Sequence, residues 1–177
     1  MNTEDLERLR YPLGRYVALG SYQASIVQNS MERIALLPQR LTSVVSGSTP
    51  AQWKNRYRPE GWTATQVIHH LSESHLNGLV RFKLALTEET PAQKPYSADR
   101  WVQLVDGTEA PVEIALDLIR ALHAKWGFLM RSLSPGQWQR AYFHTEQKKN
   151  IPLFDLARMY AWHGEHHLRH LEIALRA

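Results

Sequence analysis

Between Val112 and Leu133 the apolar residues Val112, Leu116, Ile119, Leu122, Trp126, Leu129, Met130 and Leu133 recur at intervals of three and four. An α-helix returns to one face at that spacing, so this stripe predicts an amphipathic helix that must bury one side. Three other stretches repeat the pattern. The first runs from about Ser21 to Val45, with Val27, Met31, Ile34, Leu41 and Val45 on its stripe and Gly47 at its end. Pro38 interrupts it and is expected to kink it, because proline lacks an N–H and crowds the preceding turn. The second starts at Thr63 and extends through Val67, Leu71, Leu76, Leu79 and Leu86 to about Glu89. Thr63 with Gln66 three residues later reads as a capping box, in which each side chain satisfies the other's free backbone N–H. The last opens at Pro152 and continues to the C-terminus, proline being suited to a helix's first turn.

Pro- and Gly-containing segments separate these stretches: Ser48–Trp62, Thr90–Pro111 with a short helical turn near Ala98–Leu104, and the polar and aromatic Gln137–Ile151. All three are expected to be loops. Long helices with few strand signals predict an all-α four-helix bundle with long inter-helix loops, formed as one domain over residues 1–177. A chain of this length can bury a core of its own.

Composition narrows the functions. Lys plus Arg number 21 against 17 for Asp plus Glu, a net +4, but the excess is dispersed. The densest basic stretches, Lys54 with Arg56 and Arg58, and Lys148–Lys149, are not interleaved with aromatics over a long span, so no nucleic-acid partner is expected. Cysteine is absent, which excludes disulfides, thiolate ligands and a cysteine nucleophile and fits a cytoplasmic location. Met1 to Arg10 is polar and charged, unlike a signal peptide, and no apolar run approaches the ~18 residues of a membrane span. Neither a glycine-rich nucleotide motif nor a Ser–His–Asp signature occurs.

Histidine is the conspicuous residue. Nine are present, and His163, His166, His167 and His170 fall within eight positions of an otherwise apolar stretch. Residues four apart share a helix face, so His163 with His167, or His166 with His170, can converge on one metal ion. An isolated pair of this kind is more often a surface feature or a cap. Here Leu153, Phe154, Leu156, Met159, Tyr160, Trp162, Leu168 and Leu171 surround it, and protonated imidazoles packed in such a helix would repel and lose hydration. Neutral imidazoles on a metal avoid both problems. His69, His70 and His75 make the second helix another histidine-rich, apolar one. One histidine from it and two from the last helix would give the three protein ligands usual for a catalytic zinc site. Adjacent helix residues point ~100° apart, so only one of His69 and His70 can face the bundle centre. Periodicity leans towards His70 without settling it. Glu73, one turn after His70, is either an acceptor that orients a ligand or a solvated acid. His144, in Tyr142-Phe143-His144, is either a pocket-mouth residue or, more commonly, a loop histidine. His123, one turn before Trp126, reads as core edge.

Two motifs carry a family likeness. Gly61-Trp62-Thr63-Ala64-Thr65-Gln66-Val67-Ile68-His69-His70-Leu71-Ser72-Glu73-Ser74-His75-Leu76-Asn77, and Tyr160-Ala161-Trp162-His163-Gly164-Glu165-His166-His167-Leu168-Arg169-His170, resemble the YfiT-like branch of the DinB superfamily. Tyr11-Pro12-Leu13-Gly14 and Lys94-Pro95-Tyr96 add to the likeness, which spans nearly the whole chain. The resemblance implies a four-helix bundle, often a homodimer, with a three-histidine site for one zinc or nickel ion per chain. Its ligands fall on His70, eight residues after Trp62, and on His163 and His167. It gives no ligand role to His69, His75, His166 or His170, which are expected to support or pack the site. Members are commonly described as metal-dependent hydrolases acting on small molecules, and some as S-transferases that use bacillithiol or a similar low-molecular-weight thiol. A metal with an open position suits either reaction, since it can acidify water or hold a thiol as thiolate. A metal-binding stress-response bundle without turnover is the reading from a different class. A fourth protein ligand would mark a structural metal instead.

Overall fold

The computed structural model describes residues 2–18 and 20–176. Its helices are α1 (Thr3–Arg10), α2 (Ala24–Val45), α3 (Ala64–Thr87), α4 (Ala98–Trp101), α5 (Val105–Thr108), α6 (Val112–Arg131), α7 (Pro135–Trp138) and α8 (Leu153–Arg176). Three short strands, β1 (Ala92–Gln93), β2 (Ala141–His144) and β3 (Lys149–Pro152), form one small sheet. No described helix is long and apolar enough to cross a membrane.

The four long helices lie where the apolar stripes predict. α3 begins behind the expected capping box: Gln66 N–H donates to Thr63 Oγ1 at 3.2 Å, and Thr63 N–H donates to Gln66 Oε1 at 3.0 Å. At the other end Arg140 donates to the carbonyls of Ala85 and Glu88 at 2.6 and 2.7 Å, placing a cation where the helix dipole is negative. α2 continues as one helix across Pro38.

Three parts of the loop reading are corrected. The segment expected to be the loop Gln137–Ile151 contains the end of α7 and the antiparallel β2–β3 pair, in which Tyr142 is buried and pairs with Ile151. Each strand is only four residues long, and Tyr142, Phe143 and His144 follow one another without the apolar–polar alternation that marks a strand. Pro152 ends β3 instead of opening the last helix, which starts at Leu153. Residues 3–10, to which no element was assigned, form α1; none of its residues is buried, so it carries no apolar stripe.

α2 packs against α8 and α6, and α3 packs against the same two helices. The ring therefore runs α2, α8, α3, α6, and the consecutive helices α2 and α3 sit across a diagonal. Apolar packing divides into two clusters. One gathers Ile34, Phe82, Trp126, Leu153 and Tyr160. The other gathers Leu41, Leu71, Ile119, Leu168 and Leu171. His70 and His75 on α3, His123 on α6 and His163 and His167 on α8 occupy the level where these clusters meet. A band of imidazoles thus crosses the core.

Two glycines let the helices close around that band. A Cβ on Gly78 of α3 would lie 2.6 Å from both Trp126 and Tyr160, and one on Gly164 of α8 would lie 2.5 Å from Leu37. Alanine is a better helix former by about 1 kcal/mol, but both sites would be overpacked, at a cost of typically ~1–3 kcal/mol. Overpacking wins where the neighbours are buried rings and branches. Gly78→Ala and Gly164→Ala are each expected to lower unfolding stability by roughly 1–2 kcal/mol, measured by denaturant titration; equal or higher stability would show that the helices can move apart freely.

Candidate metal centre

α3 and α8 lie side by side, and their histidines meet along the seam. His70 Nε2 is 3.2 Å from His163 Nε2. His167, one turn after His163, completes a group with His70 and His163 whose ligand nitrogens all lie within 4.8 Å of one another. His70 and His167 are buried and His163 is half-buried. Trp62 covers one side, its indole 4.7 Å from the His70 ring and stacked at 6.0 Å on His167. Its Nε1–H donates to Asp99 at 3.1 Å, which anchors the indole.

The choice that periodicity left open is resolved by position. His69 turns away and donates from Nε2 to the carbonyl of Ala110 at 3.1 Å, while His70 faces α8. A second group, His166, His167 and His170, also has ligand nitrogens within 4.8 Å. His170 is committed at both ring nitrogens, Nε2 to the carbonyl of Leu9 at 3.1 Å and Nδ1 to His167 Nδ1 at 3.3 Å. In the first group His163 is likewise engaged at both ring nitrogens, by His75 and by His70. His166 is buried and stacked on Trp162 at 4.7 Å. His75 lies behind His163, its Nε2 3.3 Å from His163 Nδ1.

His123, read as core edge, has a larger part than that. Its Nε2 is 2.9 Å from His75 Nδ1, and its Nδ1 is 2.6 Å from the carbonyl of Ile34. Both partners are far away in sequence, so helical spacing held no sign of them. Glu73 departs from one of the two roles open to it. His70 Nδ1 and Glu73 Oε2 are both buried without a hydrogen-bond partner, so the bond that their spacing permits is not made. Burial, with Asp106 second, raises the Glu73 carboxyl above its ordinary range. His144 lines a cavity of about 370 Å³ with Tyr16, Arg81, Tyr142, Lys149 and Asp155, and none of the three clustered histidines borders it.

Burial dominates the electrostatics. It lowers His70 to about 4, with His166 a lesser cause, and pulls His75, His163 and His167 well below the usual imidazole value. Desolvation penalises the charged form, and neighbouring imidazoles add to the penalty. These rings are neutral at neutral pH, the state in which imidazole nitrogen binds a metal.

The arrangement can be compared with known proteins. Residues 33–171 match the family model of the DinB superfamily. A relative from Oceanobacillus iheyensis is 41% identical over 162 residues, covering 92% of this chain and 93% of its own. YfiT from Bacillus subtilis is 37% identical over 163 residues, covering 92% of each. Both are named as candidate metal-dependent hydrolases. The solved structure of YfiT superposes with a TM-score of 0.92 at 37% identity, over 96% of this chain and 97% of that one. It is described as a probable metal-dependent hydrolase with an unusual four-helix bundle topology, which accords with the diagonal placement of α2 and α3.

The pH dependence of the metal-free protein follows from burial. His70 and His123 are lowered to about 4 and His170 to about 3, from an ordinary value of 6.5. Below 6.5 the unfolded chain takes up protons that the folded chain refuses, so stability falls as pH drops from about 6.5 towards 4. Each such histidine contributes at most about 1.4 kcal/mol per pH unit. Denaturant midpoints of metal-free protein measured between pH 7 and 4 should fall steeply in that window; a flat profile would contradict burial of neutral imidazoles.

Proposed function

The chain belongs to the DinB superfamily, and from that membership and the histidine geometry we propose a metal-dependent enzyme acting on a small molecule, with His70, His163 and His167 holding one divalent ion. The separation of His70 and His163 carries the reading. Two nitrogens each ~2.0–2.1 Å from a tetrahedral ion lie roughly 3.3 Å apart, and the two Nε2 atoms are 3.2 Å apart. In the absence of an ion the same separation is that of a hydrogen bond between the two rings, and His167, within 4.8 Å of both, supplies the third nitrogen that an ion would need. His70 Nδ1 is buried without a partner, so the ring's one polar contact is the one its Nε2 makes with His163, which supports the reading.

Neutral imidazoles with no thiolate and no carboxylate suit zinc or nickel. When bound, such an ion supplies Lewis acidity, polarising a substrate oxygen and lowering the pKa of water towards ~7. Three protein ligands leave a position for that chemistry. The protein's own residues do the remaining work. Trp62 shields His70 and His167, limiting water on that side. We favour hydrolysis because the relatives named above are described by it. A thiol-transfer reaction would have to bring its sulfur from a cosubstrate, since the chain has no cysteine.

Elemental analysis and titration should find one zinc or nickel ion per chain. His70→Ala, His163→Ala and His167→Ala should each weaken binding by more than the ~10–100-fold typical of losing a supporting residue, while His69→Ala and His166→Ala change it little. Tight binding that survives all three substitutions would remove the assignment. In cobalt-substituted protein, a low-molecular-weight thiol that adds a sulfur-to-metal band would favour transfer; a spectrum unchanged at saturating thiol would leave hydrolysis.

A further inference from the structure

We propose that two chains of buried imidazoles, each ending on a backbone carbonyl, dictate which ring nitrogen His163 and His167 leave bare for the metal. The proposal rests on the reading of those residues as ligands, and it makes His75, His123 and His170 positioning residues. A neutral imidazole has one N–H donor and one acceptor nitrogen, whereas a carbonyl oxygen only accepts. A carbonyl at one end of a row of imidazoles therefore fixes the direction of every hydrogen bond in the row.

The longer chain begins at Ile34 in α2. In a helix that carbonyl would accept from the N–H four residues later, and residue 38 is proline, which has none. Its place is taken by His123 Nδ1, 2.6 Å away across the α2–α6 contact. His123 must therefore be the donor, which leaves its Nε2 as acceptor. His75 Nδ1, at 2.9 Å, must donate to it. That leaves His75 Nε2 as acceptor for His163 Nδ1 at 3.3 Å. His163 is thus obliged to carry its hydrogen on Nδ1 and to present a bare Nε2, and that is the atom facing His70.

The shorter chain begins at Leu9, in the last turn of α1, where the helix has run out of N–H groups to offer. His170 donates to it from Nε2 at 3.1 Å, and its ring is clamped by Tyr57, stacked at 3.8 Å and 14°. His170 Nδ1 is then the acceptor for His167 Nδ1 at 3.3 Å, so His167 too presents a bare Nε2. His70 stands at the far end of the longer chain: in the metal-free protein its Nε2 donates to the bare His163 Nε2 at 3.2 Å, while its Nδ1 is unpartnered, so an ion could be bound through Nε2 only once that hydrogen has left it. The two ligands on α8 are preset before any ion arrives, and the one on α3 is not. Pro38, read from sequence only as a kink, becomes the origin of the longer chain.

Long-range proton–nitrogen correlation spectra of metal-free, ¹⁵N-labelled full-length protein test this directly. His75, His123, His163 and His167 should carry hydrogen on Nδ1, the minor form of the side chain in water, and His170 on Nε2. His163 or His167 found protonated at Nε2 would overturn the proposal, whatever the variants do. His123→Leu touches none of the proposed ligands, yet it should turn His163 into a mixture of both forms and weaken metal binding towards the ~10–100-fold lost with outer-shell partners, leaving His167 unchanged. A folded His123→Leu protein with wild-type His163 signals and wild-type affinity would count against the longer chain. Expected tautomers in a protein that takes up no metal would leave the hydrogen-bond chains standing and remove the ligand assignment. Metal uptake by a protein whose His163 is protonated at Nε2 would do the reverse.

Discussion

Burying neutral imidazole is the constraint that the rest of the structure answers to. Of nine histidines, His163 alone is not fully buried. Each buried ring keeps one N–H that needs an acceptor, or a penalty of about 1–3 kcal/mol remains. A helical bundle offers few acceptors, because its carbonyls are already engaged in the i to i−4 ladder. The acceptors used here are carbonyls that the ladder has released: Ile34 by Pro38, Leu9 at the end of α1, and Ala110 in the turn before α6. Irregular points of the backbone, which would otherwise be weaknesses, are where the histidines are tied down.

That requirement also explains the arrangement of the bundle. With α2 and α3 on a diagonal, α6 and α8 each touch both. His123 on α6 can therefore link the α2 backbone to His75 on α3, and His75 in turn reaches α8. A ring in chain order would have placed α2 beside α3 and removed the need for α6 as intermediary. The approach is close enough that α3 and α8 need glycine where they meet Trp126, Tyr160 and Leu37. Packing and hydrogen bonding thus set one another: the apolar clusters bring the helices together, and the imidazole band fixes their register.

Sequence reading was strongest where one face of a helix is buried and weakest where burial is complete or missing. The α6 stripe and the Thr63–Gln66 cap were legible because each is a local pattern with a local cause. α1 was invisible because nothing on it is buried. Periodicity could not decide between His69 and His70 because α3 is buried on nearly every side over its first half, both residues included. The family likeness pointed to His70, and the structure supplies the reason for its neighbour: His69 is spoken for by Ala110. The role of His123 was beyond spacing arguments, since Ile34 is 89 residues away and His75 is 48. A proline in the middle of a helix was the available sign, because it announces a carbonyl in need of a donor.

The chemical character of the seam follows from what supports it. Metal-bound histidines are usually backed by a carboxylate or a backbone carbonyl. Here the rings behind His163 and His167 are themselves neutral imidazoles, and the nearby carboxyl of Glu73 is raised by burial and does not meet His70. No carboxylate is hydrogen-bonded to the rings that would hold an ion in the proposed site. In a low-dielectric interior an uncompensated charge is felt strongly by whatever occupies the open position. A site of this kind favours anionic ligands over neutral ones and so acidifies a proton donor that binds there. A carboxylate-backed site would tighten its hold on the ion and blunt that effect. An all-imidazole lining would instead leave a bound ion electrophilic, with the two proposed carbonyl-anchored chains giving the orientation that a carboxylate would otherwise give.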